Sequence, residues 1–461
     1  MSVQPWPVVI FDGVMQKCLV IDLFTDPVVL DGLEIDWGRS EYLSHSSVGT
    51  LNVEWIDRTG ALAARMRDKT MMGKPIAVQY SDGTGWGAFM FQGRITGCSA
   101  KPDVPDPYAT DPTARCWRVS VQASDKTADL AQIIQPAGTW PQETMQARAV
   151  ALRGASFIAG ISEFYFFPNH VNSIAYALDV KGKDNLGLLR DFYYSMGDTF
   201  AYLPEENVCR YLHRRAYDVW ANWVQSADGI VRMTANDHTF DGRTYRGVGI
   251  QGCDVTAEDA AGLPINSAVT RVEASWKDTR NNNTDVVTTV YADEQSELDR
   301  GRRTLTFTSW LGDGVNLDPV VLEVLNRGRF EGSQPKHPNI TRDTRRTNGF
   351  YNKGEAKALL MGGETQGVVY ISGSRYAMWM FQVPFYAVIG GKIRYEHPGW
   401  VIEMNLQFHL STGTVVPVRW NQVTASLKWT QPPTFGSLAD SMTWFDAAFL
   451  QTGNVYVPTE Q

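Results

Sequence analysis

Two segments near the start of the chain alternate apolar and polar residues. Residues 33–37 (LEIDW) and 51–55 (LNVEW) each carry an apolar side chain at every second position and end on a tryptophan. Successive side chains of a strand point to opposite faces, so each segment predicts a strand with one face in a core. Short apolar runs between Gly, Asp and Pro continue to about residue 135. The first part of the chain therefore predicts a β-barrel or β-sandwich.

One loop in this β-rich part is unusually long. Residues 101–115 are dense in proline and acidic side chains. Loops of this length without secondary structure usually carry function or disorder. The segment predicts a surface arm that makes contacts.

The pattern changes near residue 140 and predicts a small α/β unit that reaches about residue 215. The segment 142–154 (QETMQARAVALRG) predicts a helix. A second helix starts at Asp184 or Asn185, either of which can cap it, and stops at Gly197. A hairpin with the turn PEEN follows. The apolar positions on one face of the second helix are Leu186, Leu189, Tyr193 and Met196.

The second half of the chain mixes strands and helices again. The segments 270–276 and 286–292 predict a hairpin around a polar loop. The segment 318–327 predicts a helix, with Asp318 at the N-cap, Pro319 after it and Gly328 beyond its end.

The clearest strand of the sequence lies at 400–410, where apolar and polar residues alternate. It predicts a hairpin with the preceding segment GKIRYE through the turn His397-Pro398-Gly399. Beyond residue 415, three tryptophans recur between Pro, Ser and Gly, which predicts an extended tail that lies on a neighbouring molecule. They are Trp420, Trp429 and Trp444.

Composition limits the class of protein. A chain of 461 residues is long enough for two to four compact units. The 15 Trp, 18 Tyr and 20 Phe favour β-structure and large interfaces. A net charge of −8 argues against a surface that grips nucleic-acid phosphates, and it suits a conduit through which DNA passes without binding.

Neither a signal peptide nor a membrane span is predicted. The first residues, MSVQPWPVVIFDG, have no basic region before a long apolar core. No apolar run reaches the roughly 18 residues that a transmembrane helix needs.

The cysteines predict neither a zinc site nor a redox pair, because no CxxC motif occurs. Cys98 and Cys116 flank the proline-rich loop and either pair across a hairpin or remain buried thiols, the second being favoured in a cytoplasmically assembled protein. The five cysteines are Cys18, Cys98, Cys116, Cys209 and Cys253.

A search for catalytic motifs finds none, and the histidines are isolated from one another. Among them, His213 lies in a strand pattern, His397 in a turn and His409 on the polar face of the long strand. Metal sites need several converging ligands, so these side chains are interpreted as structural or solvent-facing. No catalytic, cofactor-binding or metal-binding residue and no cofactor is predicted.

Acidic groups have ordinary structural interpretations. Glu205 and Glu206 lie at a predicted hairpin tip, and Asp293 and Glu294 lie at a predicted helix start, where acids favour the dipole. The segment 313–318 spaces oxygen ligands at Asp313, Asn316 and Asp318, but it lacks the rest of a calcium loop.

Basic clusters lie among acids, so salt-bridged surfaces are favoured over nucleic-acid binding. The clusters are Arg300, Arg302 and Arg303, and Arg342, Arg345 and Arg346.

Four separated segments resemble one protein family in the same order along the chain. They are IDWGR at 35–39 followed by LNVEWID, LLRDFYYSMG followed by TFAYLPEENVCRYL, INSAVTRVEASWKD followed after a hairpin by SELDRGRRTLTFTSWL, and VIGGKIRYEHPGWVIEMNLQF. The chain resembles the tail-tip hub, or baseplate hub, proteins of long-tailed bacteriophages, especially of the actinobacteriophage type. The resemblance is to the hub fold at the start of tail-associated lysins, without a lysin domain. Two departures are Asn207, where the family has Gly, and Arg300, where it has Tyr.

The resemblance implies a mainly β fold with α+β insertions. Two β-barrel hub domains would flank the small α/β domain, and an extended Trp-containing tail would follow. The predicted domains are an N-terminal barrel at 1–138, the α/β domain at 139–215, a second barrel with inserted helices at 216–414, and the tail at 415–461. The two barrels could also exchange segments.

The resemblance also implies a homotrimer that closes or lines the distal tail tube at the tip of the virion. Implied partners are the distal-tail ring, the tape-measure C-terminus, and minor tail proteins or fibres, with DNA only as passing cargo. Assembly would take place in the host cytoplasm, and no enzymatic activity is expected.

Three alternatives remain open at this stage. The first is a hexameric distal-tail protein, which would differ from the trimeric hub in subunit number. The second is a carbohydrate-binding receptor-recognition protein, which would bind sugars on a glycan array through its aromatic side chains. A cell-wall hydrolase would clear peptidoglycan in a zymogram.

Overall fold

The structure is a computed structural model of the chain. It describes residues 3–11, 14–16, 26–39, 44–68, 70–81, 86–136, 138–158, 160–161, 164–165, 172–196, 199–212, 219–223, 232–233, 238–240, 243–245, 250–251, 254–256, 269–277, 286–311, 339–346, 349–350, 353–360 and 379–408. The predicted helix at 318–327 and the predicted tail at 415–461 lie outside these residues.

The described residues are mainly β, as the sequence predicts. The strands are β1 (Trp6–Phe11), β2 (Val14–Gln16), β3 (Val28–Gly38), β4 (Thr50–Asp57), β5 (Pro75–Ser81), β6 (Trp86–Pro105), β7 (Arg115–Asp125), β8 (Thr139–Trp140), β9 (Glu143–Thr144), β10 (Phe164–Tyr165), β11 (Ile174–Ala175), β12 (Leu178–Asp179), β13 (Thr199–Leu203), β14 (Val208–Leu212), β15 (Val219–Trp223), β16 (Arg232–Met233), β17 (His238–Phe240), β18 (Arg243–Tyr245), β19 (Ile250–Gln251), β20 (Asp254–Thr256), β21 (Arg271–Lys277), β22 (Val286–Ala292), β23 (Thr304–Thr308), β24 (Asn339–Asp343), β25 (Trp379–Glu396) and β26 (Gly399–Phe408).

The helices among the described residues are 6 to 14 residues long. They are α1 (Ala61–Arg67), α2 (Thr127–Gln132), α3 (Met145–Ile158), α4 (Asn185–Tyr194), α5 (Glu294–Arg300) and α6 (Lys353–Leu360).

A twelve-stranded sheet, called the large sheet below, dominates the molecule and curls into a half-barrel. Its order is β2-β1-β5-β6-β7-β4-β3-β25-β26-β24-β20, and β15 pairs with the first part of β25. The two alternating segments of the sequence form neighbouring antiparallel strands, with Leu33 opposite Val53 and Ile35 opposite Leu51. That prediction is confirmed.

The large sheet joins distant parts of the sequence. Strand β3 pairs in antiparallel register with β25, so that Ile35 lies opposite Ile393 and Gly38 lies opposite Gly390. The hairpin predicted around His397-Pro398-Gly399 is confirmed, with Tyr395 opposite Trp400. Strands from both predicted barrel regions therefore belong to one sheet. The domain boundaries at 138/139 and 215/216 remain predictions.

One face of the large sheet carries the first hydrophobic core. Apolar side chains of β3, β4, β7, β25 and β26 fill it, together with residues of α1 and α6. Its largest fully buried side chains include Trp55, Trp400, Phe11 and Phe350. Trp37 packs at the margin of this core and is partly buried.

The α/β unit forms a second core around α4. The carboxylate of Asp184 caps this helix and accepts a hydrogen bond from Gly187 N at 2.7 Å. Leu186, Leu189, Tyr193 and Met196 are all buried, as their spacing predicts. Leu188 and Phe192 are buried as well, because the helix is covered on more than one side. The hairpin predicted after the helix is confirmed as β13 and β14, and Asn207 in its turn has a φ of 55°.

A three-stranded sheet from later in the chain adds to this second core. Strand β21 pairs with β22 in the predicted hairpin and runs parallel to β23 on its other side. Helix α5 makes the crossover between β22 and β23, and it ends before Gly301, whose φ is 85°. Ala274, Trp310 and Leu311 of this segment are buried against the α/β unit.

The proline-rich loop is shorter than the sequence predicts. Strand β6 continues to Pro105 and β7 starts at Arg115, with Val104 opposite Cys116 across a β-bulge. The prolines are tolerated because the register shifts between Lys101 and Val104, so the ladder is interrupted there. The connecting residues 106–114 are mostly at the surface.

Candidate functional site

Residues that the sequence singles out as possible ligands do not converge in the part of the chain that the structure describes. No group of three or more His, Cys, Asp or Glu side chains there is arranged to hold a metal ion. His397 is half-buried, its ring lies edge-on to Tyr108 at 6.4 Å, and burial lowers the pKa of its imidazole. The other candidates lie outside the described residues; they are His213, His409, Asp313, Asn316 and Asp318.

The thiols of Cys98 and Cys116 are free, so the cross-hairpin disulfide is wrong. The reason is register, because Cys98 lies opposite Val121 and Cys116 lies opposite Val104. Burial raises the pKa of the Cys116 thiol and that of the Cys209 thiol, which holds both in the protonated form. Cys18 and Cys253 lie outside the described residues.

The acidic pairs lie where the sequence places them. Glu205 and Glu206 belong to the turn between β13 and β14. Asp293 immediately precedes α5, and its carbonyl accepts a hydrogen bond from Glu297 N at 2.8 Å.

The exposed face of the large sheet carries a cross-strand charge ladder. Lys392 Nζ lies 3.1 Å from Glu34 Oε1, and Arg394 lies 2.9 Å from Glu403. Arg345, in the turn after β24, pairs with Glu396 at the end of β25. Opposite charges therefore neutralise each other along β3, β25 and β26, although exposed pairs of this kind stabilise a fold only slightly.

The predicted basic clusters follow this pattern with one correction. Arg345 and Arg346 pair with Asp343, and Arg302 lies 3.7 Å from Glu297, as salt-bridged surfaces should. Arg342 is instead buried and donates to Gly349 O at 2.8 Å. It alternates with Asp343 along β24, so its side chain points to the opposite face of the sheet.

The segments that carry the family resemblance meet in pairs. Gly38 of the IDWGR segment lies opposite Gly390 of the VIGGKIRYE segment. A Cβ atom at Gly390 would lie 2.3 Å from Arg39 O and 2.7 Å from Arg39 N. Glycine at 390 thus lets the two backbones approach closely, and the Arg39 side chain is buried beside them.

The turn after β25 fixes the N-terminal segment. Trp400 is fully buried, and its indole Nε1 donates to Pro5 O at 2.7 Å. Its backbone N–H donates to Thr344 Oγ1 at 2.8 Å. The Pro-Gly-Trp part of the resemblance is therefore a packing and hydrogen-bonding anchor.

The second core is organised around a buried arginine. The Arg148 guanidinium donates to Glu143 Oε1 at 3.0 Å, to Tyr176 O at 3.0 Å and to a third acceptor, Pro141 O, at 2.7 Å. It also lies 5.5 Å from the ring centroids of both Trp140 and Trp310. These hydrogen bonds and ring contacts compensate the buried charge of Arg148, and they link α3 to the segment after β23.

Two serines make a second link between these parts. Ser309 Oγ donates to Ser195 O at 2.8 Å, and Trp310 N donates to Ser195 Oγ at 2.9 Å. Both serines are fully buried. The end of the LLRDFYYSMG segment is thus bonded directly to the TLTFTSWL segment.

A contact region, called the joint below, connects the large sheet to the α/β unit and consists of residues 46–49 and 125–128. Ser46 Oγ donates to Phe200 O at 2.8 Å, and Arg190 Nη2 donates to Ser46 O at 2.6 Å. Asp125 N donates to Gly49 O at 2.9 Å. The joint therefore ties the segment before β4 to α4 and β13.

The carboxylate of Asp125 is the centre of the joint. It accepts hydrogen bonds from Gly49 N at 2.7 Å, from Thr127 N at 2.9 Å, and from the Thr127 hydroxyl and Ala128 N. Burial raises the pKa of Asp125 to about 6, although these hydrogen bonds favour the charged form.

A small cavity of about 30 Å³ adjoins this carboxylate, which is room for about one water molecule. The side chains or backbone of Trp37, Ser46, Thr127 and Tyr202 contribute to its lining.

Sequence reasoning missed Asp125, but a signal was present. Asp57 and Asp125 each end a strand, each stands two residues before a threonine, and each accepts hydrogen bonds from the N–H groups that lead into a helix. An Asp-x-Thr step after an alternating segment favours such a turn. The two aspartates lie at opposite ends of the antiparallel pair β4 and β7.

The tip of the β6–β7 hairpin is fixed by polar contacts. Asp106 pairs with Arg58, Nε to Oδ2 at 2.6 Å, and also accepts from Tyr108 N at 2.9 Å. Tyr108 OH donates to Asp31 at 2.8 Å, and Arg118 lies 3.2 Å from the same carboxylate. The first part of the predicted arm is therefore attached to the sheet.

No described helix has the length and apolar character that crossing a bilayer requires.

Neither a protein-family model nor a curated protein matches this chain. Among solved structures, the chain is similar to the 43 kDa tail protein of prophage MuSo2 from Shewanella oneidensis, with 11% identity over 87% of this chain and 98% of that chain and a TM-score of 0.48. It is similar to the tail protein from Neisseria meningitidis MC58, with 14% identity, 88% and 96% coverage and a TM-score of 0.47.

A third similar structure is the E. coli c3393 protein, a type VI secretion component described as similar to the T4 tail proteins gp27 and gp5. The identity is 9%, the coverage is 90% of this chain and 79% of that chain, and the TM-score is 0.40. At these TM-scores, the similarities identify neither the fold nor the function of this chain.

Proposed function

We propose that this protein is a structural component of a bacteriophage tail, a hub that forms a trimeric ring at the distal end of the tail tube. It closes or lines the tube at the virion tip and links the distal-tail ring to tip fibres or minor tail proteins. The tape-measure C-terminus is its partner inside the tube, and DNA passes through as cargo. Assembly takes place in the host cytoplasm.

One observation supports the proposal most strongly. The four segments that resemble hub proteins are far apart in sequence, yet they meet in pairs in the structure. IDWGR pairs with VIGGKIRYE in the large sheet, and the LLRDFYYSMG helix is bonded to the TFTSWL segment. Contacts between these separately identified segments are what a shared hub fold requires.

The chemistry of the described residues agrees with a mechanical role. The buried polar groups at these contacts, including Arg148, Ser195 and Ser309, are occupied by hydrogen bonds within the fold. The exposed face of β3, β25 and β26 carries opposite charges that neutralise each other, which suits a surface that should not bind a passing polyanion.

Subunit number is the sharpest test of the hub proposal. Mass photometry of the purified full-length protein should give a species of three times the 51.5 kDa chain mass. A hexamer would contradict the hub and favour the distal-tail protein. A protein that stays monomeric at micromolar concentration would contradict both the trimeric hub and the hexameric distal-tail ring.

The non-enzymatic part of the proposal needs a separate measurement. The same preparation should leave peptidoglycan intact in a zymogram in which a commercial muramidase clears it. Clearing by the purified trimer, lost on heat denaturation, would show a hydrolase in place of a purely structural hub.

A further inference from the structure

We propose that the three-stranded sheet β22-β21-β23 joins copies of this chain head to tail, with β23 of one copy adding to β22 of the next. The pairing is antiparallel, and its register places Thr306 opposite Val290 and Arg302 opposite Glu294. The inference deepens the proposed trimeric ring and rests on it for the number of copies. The strand pairing itself is measured independently of that number.

The two outer strands of this sheet have regular edges. Among the described strands, β22 and β23 lie on either side of β21, and their ladders to β21 run through the whole length of both strands without a bulge. Neither outer strand contains a proline or a charged residue. Soluble proteins usually protect outer strands with such residues or with bulges, because a regular edge offers backbone donors and acceptors to another strand. Both edges are therefore suited to strand addition.

The exposed side chains of the two outer strands are small and uncharged. Alternation puts the buried Val272 and Ala274 of β21 on one face of the sheet, and the exposed residues of β22 and β23 on the other face. Val290 is 48% exposed. β-Branched side chains of this kind pack well in cross-strand pairs. The exposed positions are Thr288, Val290 and Ala292 in β22, and Thr304, Thr306 and Thr308 in β23.

Charge complementarity indicates which edge meets which. Glu294 follows β22 and is exposed, and Arg302 precedes β23 with a side chain that is 65% exposed. In an antiparallel pair, the start of β23 meets the end of β22 in the next copy, so the arginine approaches the glutamate. When Thr306 lies opposite Val290, Arg302 lies opposite Glu294, because each of them is four residues away from that pair. One register therefore aligns the uncharged stripes and the opposite charges together.

Pairing of two identical edges is less favourable. Two antiparallel β22 strands would bring the acidic end of each, Asp293 and Glu294, towards Asp285 of the other copy. Like charges that face each other destabilise a strand pair. A contact between unlike edges repeats in one direction, and it closes into a ring when the rotation between copies permits. Head-to-tail pairing therefore suits a ring of three copies.

Disulfide cross-linking of the full-length protein tests the register. Within one chain, positions 290 and 306 both lie opposite Glu273 on either side of β21. Their strands are thus about 10 Å apart, too far for a disulfide within the chain. We expect Val290→Cys/Thr306→Cys to form a 290–306 bond between chains under mild oxidation and to give a covalent trimer on a non-reducing gel. A mixture of the two single variants should stop at dimers.

The matched control is Thr288→Cys/Thr304→Cys, which uses the same strands and the same face. The proposed register separates these two positions by four residues, about 14 Å, so they should stay unlinked. Wild type under the same oxidant accounts for the native cysteines. Linking of the control pair, or a trimeric sample in which peptide mass spectrometry finds no 290–306 bond, would overturn the pairing.

A second measurement does not need engineered cysteines. Val290→Lys places a charge in the middle of the edge and should raise the concentration needed for half assembly about tenfold or more. Val150→Lys changes a valine of α3 that is 58% exposed, and it should leave assembly unchanged. Normal assembly of Val290→Lys in mass photometry would contradict the proposal.

A charge exchange tests the second contact of the same register. Arg302→Glu and Glu294→Arg should each weaken assembly about two- to fivefold, because each puts like charges opposite each other. The double variant restores opposite charges and should regain the wild-type assembly. Failure to recover in the double variant would show that these two side chains do not meet.

Failure of this pairing is distinguishable from failure of the hub. A trimer without the 290–306 bond would retain the hub and reject the pairing. Linked chains that extend into a ladder without closing at three would retain the pairing and reject the trimeric ring. A protein that stays monomeric at micromolar concentration would reject both.

Discussion

The α-carbon of Gly390 lies so close to the backbone of Arg39 that a single added methyl group would overlap it. The ideal Cβ position is 2.3 Å from Arg39 O. This contact holds β3 against β25 and thereby joins the early and late parts of the large sheet.

Gly390→Ala should therefore separate these strands. The overlap is with backbone, which cannot move aside as a flexible side chain can, so we expect a loss of about 2–3 kcal/mol in the free energy of unfolding. Chemical denaturation followed by tryptophan fluorescence measures it. Gly32→Ala, in β3, is the control, since a Cβ there has no neighbour within 4 Å. Equal stability of the two variants would contradict the close approach.

Trp37→Ala should damage folding or ring formation. The side chain packs at the margin of the first core and lines the cavity at the joint, so its removal should cost about 3 kcal/mol. Denaturation and mass photometry on the same sample separate the two effects. Trp37→Phe should retain most of the packing, and a stable, fully trimeric alanine variant would count against a core or interface role.

Arg58→Met should weaken the tip of the β6–β7 hairpin by about 3 kcal/mol, because it leaves the buried Asp106 carboxylate uncompensated. Arg345→Met, which removes a partly exposed pair, should cost about 1 kcal/mol or less. Limited proteolysis within 106–114 reports the opening of the tip. Comparable cleavage of both variants would contradict the prediction.

The same ion pair predicts a dependence on pH. Burial raises the pKa of Asp106, but the Arg58 guanidinium and Tyr108 N–H lower it by more, so it lies below the ordinary value of 3.8. The stabilisation is therefore present above that value and is lost as the pH falls through the lower folded pKa. Proteolysis with an acid-active protease at low pH and with a neutral protease at about pH 7 should show the tip opening only in that acidic range for wild type, and already at neutral pH for Arg58→Met.

Ser195 and Ser309 should act as one unit. A double-mutant cycle with Ser195→Ala and Ser309→Ala should give a coupling free energy of about 1 kcal/mol, because each side chain bonds to the backbone of the segment that carries or adjoins the other, so losing one bond loosens the other. Thermal unfolding of the four proteins measures it. Strictly additive losses would mean that the two segments are stabilised independently.

The local sequence pattern was sufficient to predict those elements whose structure depends on residues nearby in the sequence. The alternation at 33–37 and 51–55, the one-sided stripe of α4 and the turn at Asn207 were all predicted, because each depends on a short periodicity or a local backbone preference. Positions whose burial depends on residues far away in the sequence were not predicted. Leu188 and Phe192 lie outside the stripe, and their burial depends on a second covering surface.

The joint could not be located from the sequence for a related reason. Asp125 continues the buried register of Val119, Val121 and Ala123 in β7, but its environment depends on Gly49 and on α4, far away along the chain. The register of β3 against β25 is equally non-local, and two glycines facing each other leave no side-chain pattern to read.

The pairing of β3 with β25 also determines when the large sheet can be completed during synthesis of the chain. Glu34 and Lys392, which form an ion pair across the two strands, are 358 residues apart. At ribosomal rates the edge of β3 waits roughly 20–70 s for its partner. During that interval the nascent large sheet presents an open row of backbone donors and acceptors. A chain truncated before Gly390 would keep that edge open permanently, and it should aggregate while the complete chain remains in solution.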